Sequence, residues 1–173
     1  MHELRSLIRD VADFPKAGVT FKDITPLLAH ADGMRCCVES LAAPWRESGI
    51  QAVCGIEARG FIFGAALAQS LGAGFVPLRK PGKLPAATVG VDFALEYGQD
   101  RLEVHTDAVR PGERVLLVDD VLATGGTLAA AVELMDRLDA DLCGAAVVIE
   151  LASLHGRANW HCAAPLHALV CYD

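Results

Sequence analysis

Apolar residues recur at helical spacing at the start of the chain (Leu4, Leu7, Ile8, Val11) and predict a leading helix over 4–11. Phe14, Pro15, Lys16, Ala17 and Gly18 break it. Thr25 followed by Pro26 reads as an N-cap with proline at the first helical position. Asp32 caps a longer helix expected to reach about residue 48, kinked at Pro44. Beyond residue 50 the pattern alternates: a strand over 51–56, a helix over 61–71 and a strand over 74–78. Pro81, Gly82, Pro85, Gly90 and Gly98 punctuate residues from about 79 to 100, which read as a long excursion or flexible lid. A short strand over 102–105 follows. Val115, Leu116, Leu117 and Val118 form a continuous apolar run, as in a parallel strand buried on both faces. Residues 127–138 repeat at helical spacing, 142–151 read as another buried strand, and 166–170 as a last one. This alternation predicts an α/β domain with a mainly parallel twisted sheet flanked by helices.

The chain of 173 residues is expected to form a single domain, 1–173, large enough to bury about 70% of its unfolded surface. With 53% hydrophobic and 21% charged residues it is globular and not disordered. A net charge of −7 argues against nucleic acid and against an anionic membrane surface as partners. Any anionic substrate must be held by local basic residues working against that field. Residues 60–78 carry no charge, but four glycines, Gln69, Ser70 and Pro77 fit a buried helix and strand better than a membrane span. The first residues lack an apolar signal core. Six cysteines show no CxxC, and no histidine joins them at metal-ligand spacing. Reduced thiols in a soluble, cytoplasmic protein are expected, with no side-chain metal site.

The densest chemistry follows the apolar run. Asp119 and Asp120 are expected at the carboxyl end of that strand, where ligands of open α/β sheets sit. Ala123, Thr124, Gly125, Gly126 and Thr127 then lead into a helix. Glycines let the backbone approach a phosphate, and a helix N-terminus offers free N–H groups with a favourable dipole. Neither a GxxxxGK[ST] loop nor a GxGxxG fingerprint is present. Two carboxylates beside such a loop repel a bare phosphate, but they accept hydrogen bonds from sugar hydroxyls or ligate a divalent cation. A ribose 5-phosphate satisfies both halves. Glu57, Ala58, Arg59 and Gly60 form a second cluster at a strand end, and Arg79, Lys80, Pro81, Gly82 and Lys83 a third. Four basic residues gathered at strand ends point to a second anionic group, a pyrophosphate.

The run from Asp119 to Thr127 resembles the phosphoribosyl-diphosphate (PRPP) motif of the type I phosphoribosyltransferases. Three further segments narrow the resemblance to the adenine phosphoribosyltransferases, over almost the whole chain. They are 14–26 (FPKAGVTFKDITP), 57–64 (EARGFIFG), and 79–85 (RKPGKLP) with 95–98 (LEYG). The stretch 150–157 (ELASLHGR) is also similar. The resemblance implies the type I phosphoribosyltransferase fold, with a small N-terminal hood over 1–30 and a lid over about 79–100. It implies purine salvage: adenine and PRPP give AMP and pyrophosphate, with magnesium brought in through PRPP, in a homodimer. By position, Ala123, Thr124, Gly125, Gly126 and Thr127 bind the 5′-phosphate, and Asp119 and Asp120 face the ribose hydroxyls. Arg59 and Lys83 hold pyrophosphate, and Arg79 does so for the neighbouring subunit. Thr20, Phe21 and Lys22 lie at the base, Leu151 packs on its face, and Glu96, followed by Tyr97, occupies the acid/base position. Lys22 stands where the family often has arginine, and Phe93 where tyrosine is common. A PRPP sensor without catalysis and a transferase for another purine are the competing readings. The first lacks a DNA-binding segment to act through, and the hood segment argues against the second.

Overall fold

The computed structural model describes residues 2–95 and 98–173. A short helix α1 (His2–Ser6) leads into an antiparallel pair, β1 (Arg9–Val11) and β2 (Phe21–Asp23). The predicted helix over 4–11 therefore stops early. Leu4 and Ile8 are buried as the spacing requires, but residues 9–11 pair with β2 instead of continuing the helix. Helix α2 (Thr25–Ala29) is preceded by Ile24 as N-cap, so Thr25 is its first residue and not its cap. Its hydroxyl donates to Asp23 instead, at 2.9 Å. Helix α3 (Ala31–Ala42) is capped by His30, whose Nδ1 accepts the Gly33 N–H at 3.0 Å, and not by Asp32, which lies in the first turn. It ends at Ala42 and passes into a 3₁₀ turn (Ala43–Trp45) that accommodates Pro44, so no kinked helix runs on to residue 48.

The central sheet then builds as expected. Strands β3 (Ala52–Ile56), β4 (Gly74–Leu78), β7 (Arg114–Leu122), β8 (Asp141–Leu151) and β9 (Leu166–Tyr172) lie in the order β4-β3-β7-β8-β9, all parallel. Helix α4 (Gly60–Leu71) links β3 to β4, and α5 (Gly126–Arg137) links β7 to β8. The short strand expected over 102–105 is half of a longer antiparallel hairpin, β5 (Thr88–Leu95) with β6 (Gly98–His105). β7 also runs through both aspartates to Leu122, so they lie within the strand and not beyond its end.

Strand residues alternate between two cores, following the two-residue period of a β-strand. Val53, Leu116, Val118, Ala146 and Val148 face one core with α3, α4 and α1. Cys54, Leu117, Ala145 and Val147 face the other with α5 and the hairpin. Each fully buried leucine here contributes about 1.5–3 kcal/mol through removal from water. Phe63 is buried in the first core, and Phe61, half-buried at the start of α4, meets Phe75 edge-on. Of the adjacent cysteines, Cys37 is buried in α3 while Cys36 is exposed. No helix among the described residues is long and apolar enough to cross a membrane.

Candidate active site

A cleft of about 200 Å³ opens at the carboxyl end of the sheet between the β3–α4 turn and the β7–α5 loop. Asp119, Asp120, Ala123, Thr124, Gly125 and Thr127 line one wall, and Glu57, Ala58, Arg59 and Lys80 the other.

The loop is built to present backbone. Gly125 caps α5 with φ +87°, a left-handed conformation that favours glycine. No side chain caps the helix, and the first intrahelical bond to this cap comes from the Ala129 N–H. The N–H groups of Gly126, Thr127 and Leu128 thus have no helical partner, as at every α-helix N-terminus. With the dipole behind them they form an anion seat beside two threonine hydroxyls.

The two aspartates are buried, unlike the usual surface carboxylate. Asp119 accepts the Asp120 backbone N–H through Oδ1 at 2.8 Å. Burial, and then the neighbouring Asp120 charge, push the Asp119 carboxyl well above the ordinary range. Burial raises Asp120 as well, against the opposing pull of Arg59, whose Nε lies 2.8 Å from Oδ2. Such a pair is poised to accept hydrogen bonds from hydroxyl groups, which would replace lost hydration.

Across the cleft, Glu57 organises the basic residues. Its carboxylate accepts Nε and Nη2 of Arg79, each at 3.2 Å, and the Lys80 N–H at 2.9 Å. Burial pushes Glu57 up, but these bonds outweigh it and hold the carboxyl below its ordinary value. Arg79 also donates to the Lys83 carbonyl at 3.0 Å and lies near the Phe61 ring. Lys80 reaches from the cleft wall to Asp100 on β6. Of the two lysines in the basic run, Lys80 lines the cleft, and Lys83, which the resemblance assigns to pyrophosphate, is exposed beside it. Both belong to one basic run, and only the turn geometry distinguishes them.

The Arg59 guanidinium carbon lies 5.3 Å from the Phe21 ring centroid, so β2 reaches the same arginine that pairs with Asp120. Lys22 does not project freely: its Nζ bonds Asp10 at 2.7 Å and sits 3.9 Å from the Tyr172 ring centroid. Leu151 ends β8 opposite Tyr172 and is half-buried, and Thr20 is exposed just before β2. Glu96 and Tyr97 lie outside the described residues. Phe93, on β5, packs against the core shared by the hairpin and α5.

Two supporting contacts have no counterpart in the sequence reading. Asn159 Nδ2 donates to the Thr124 carbonyl at 2.7 Å, and Gly156 packs backbone to backbone against Ala123 and Gly125. Gly156 lies in the 150–157 stretch already noted, while no local motif announces Asn159. Among the described residues no group of three or more His, Cys, Asp or Glu side chains is placed to hold a metal ion.

Residues 15–162 match the phosphoribosyl transferase domain family. An adenine phosphoribosyltransferase of Xanthomonas campestris is 56% identical over 165 residues, covering 95% of this chain and 89% of its own. The chain belongs to the adenine phosphoribosyltransferases. Among solved structures, the Rhodothermus marinus adenine phosphoribosyltransferase superposes with a TM-score of 0.94 at 47% identity, covering 99% of this chain and 97% of that one. The Saccharomyces cerevisiae enzyme, solved with an imino-altritol bisphosphate and adenine, gives 0.91 at 37% identity over 97% of each chain. The parallel sheet flanked by helices is thus that of a type I phosphoribosyltransferase, as the motif implied.

Proposed function

We propose that this chain transfers the 5-phosphoribosyl group of PRPP to adenine, giving AMP and pyrophosphate in purine salvage. The observation that carries this reading is one cleft holding an uncapped helix N-terminus, a buried acid pair and an arginine tied to that pair. Ala123, Thr124, Gly125, Gly126 and Thr127 seat the 5′-phosphate. Asp119 and Asp120 accept the ribose hydroxyls. Arg59 keeps its terminal guanidinium nitrogens for pyrophosphate while Nε stays on Asp120. Lys83 joins it from the lid of residues 79–100, and Arg79 reaches the site of a neighbouring subunit in a homodimer.

In the reaction the C1′–O bond to pyrophosphate breaks, a C1′–N bond to adenine forms, and adenine loses a proton. Positive charge builds on the ribose and negative charge on the leaving group. Arg59 and Lys83 stabilise the leaving group, and the aspartates offset the sugar. Thr20, Phe21 and Lys22 border the base, Leu151 covers its face, and Glu96 with Tyr97 manages the proton, work typically worth about 10²–10⁴-fold. The residues present fit a magnesium ion that arrives with its substrate, because Mg²⁺ commonly takes one or two carboxylates plus phosphate oxygens and water. When bound it would supply charge neutralisation on the pyrophosphate, beside Asp119 and Asp120. A cytoplasmic, soluble homodimer without nucleic-acid or membrane partners completes the proposal.

The test is pyrophosphate release from PRPP and magnesium with adenine, hypoxanthine, guanine or no base. Release with adenine alone is expected. Release with another purine would overturn the base assignment, and no release from any would overturn the transferase reading.

A further inference from the structure

The phosphate loop does not stand alone. A carbonyl of the loop, that of Thr124, is turned outward to accept the Asn159 amide at 2.7 Å. Carbonyl and N–H of a trans peptide point in opposite directions. Holding the Thr124 carbonyl toward Asn159 therefore fixes the plane of the Thr124–Gly125 peptide, whose two residues both line the cleft. A second contact fixes the same peptide. A Cβ on Gly125 would lie 2.5 Å from the Gly156 carbonyl oxygen, and a Cβ on Gly156 would run into the Ala123 carbonyl. The two backbones can meet only as glycines.

The turn that carries these residues (Gly156–Asn159) is itself anchored. Arg157 forks onto the buried Glu150 of β8, with Nε 2.8 Å from Oε1 and Nη2 on Oε2, and its Nη1 donates to the Leu166 carbonyl at 3.0 Å. A bidentate pair of this kind fixes direction as well as distance. Sheet, turn and loop form one chain of contacts ending at the peptide next to the phosphate seat.

We infer that Asn159 is a positioning residue for the 5′-phosphate, holding the Thr124–Gly125 peptide in its anion-binding orientation from outside the cleft. This inference rests on the transferase reading above. Asn159 is exposed, so replacing it leaves the core intact.

The experiment compares wild type, Asn159→Leu, which keeps the shape without the donor, and Asn159→Gln, which keeps an amide. Dissociation constants for ribose 5-phosphate and for pyrophosphate are measured by calorimetry, alongside KM for PRPP and kcat. Asn159→Leu is expected to weaken ribose 5-phosphate and raise KM for PRPP about 3- to 10-fold, the scale of one hydrogen bond. Pyrophosphate affinity stays unchanged, because that ligand does not use the loop, and Asn159→Gln recovers part of the loss. Equal ribose 5-phosphate affinity in wild type and Asn159→Leu overturns this inference alone. Equal weakening of both ligands overturns it too, since that marks a general structural effect. Failure of the wild-type protein to release pyrophosphate from PRPP with any purine sinks the transferase reading and this inference with it.

Discussion

Arg59 Nε lies 2.8 Å from Asp120 Oδ2, joining the β3–α4 turn to β7 across the cleft. The pair explains how two adjacent carboxylates persist in a buried strand. Burial raises the Asp120 carboxyl, and the guanidinium opposes that shift. The same arginine lies 5.3 Å from the Phe21 ring centroid, so β2, the β3–α4 turn and β7 meet at one side chain.

Replacing Arg59 should therefore remove more than a phosphate contact. Arg59→Ala is expected to lower kcat/KM for PRPP about 100-fold or more, the scale of losing one preorganised charge donor. Arg59→Lys should recover little, because a point ammonium cannot hold Asp120 through one nitrogen and offer a fork to pyrophosphate. Steady-state pyrophosphate release measures both. Near-complete rescue by lysine would show that charge alone is required.

Lys22 makes a different prediction. Its ammonium is held by Asp10 and the Tyr172 ring, so it secures the hood to the end of β9. Lys22→Ala should raise KM for adenine about 3- to 10-fold by loosening β2, the scale of an ion pair plus a cation–π contact. Asp10→Asn should shift it in the same direction, and KM for PRPP should hold in both. If the ammonium instead touched the base, Asp10→Asn would leave the adenine KM unchanged or improve it.

These contacts also show where the chain is readable from its sequence. The apolar runs of β3, β7 and β8 are buried along most of their length, so hydrophobicity alone locates them. The loop that lines the cleft is legible because its chemistry is contiguous, from Asp119 to Thr127. The hairpin is only half legible: Val89, Val91 and Phe93 do alternate, but Gly90 and Gly98 look like breaks in an irregular lid. Residues 9–11 read as helix because Leu4, Leu7 and Ile8 set a periodicity that Val11 continues by coincidence. Pairing partners stay hidden wherever the fold supplies them. Glu57 meets Arg79 across 22 positions and Thr124 meets Asn159 across 35, and neither residue of such a pair carries a local signal of the other.

Gly60 tests the packing behind the acids. A Cβ there would lie 2.8 Å from the Val118 carbonyl oxygen and 3.0 Å from Asp119 Oδ1. Backbone oxygen cannot step aside, so Gly60→Ala must push the start of α4 off β7. A loss of about 1–3 kcal/mol is expected from such overpacking, together with weaker PRPP binding as Asp119 is displaced. Chemical denaturation and a PRPP titration on the same sample read both effects. Loss of stability with full PRPP affinity would separate the packing from the site.

The Asp119 carboxyl links stability to function through pH. Its folded-state value is raised by burial and by Asp120, so between the ordinary carboxylate range and that raised value the folded protein holds a proton the unfolded chain has released. Stability attached to this group is full below about pH 4, the unfolded value, and is lost as pH rises through the folded value. In Asp119→Asn the amide would not titrate, yet its carbonyl would still accept the Asp120 N–H. This variant is therefore expected to melt higher than wild type at pH 8, by about 2–8 °C. The gap should narrow as pH falls into the ordinary carboxylate range, where folded and unfolded chains both hold the proton. Turnover should fall above that raised value, where the wild-type group is a carboxylate and the neutral amide is the weaker acceptor for ribose hydroxyls. Thermal melts across that range, paired with pyrophosphate release, decide the point. A melting gap that ignores pH, or an asparagine variant less stable at pH 8, would show that Asp119 is satisfied in its charged form and carries no such cost.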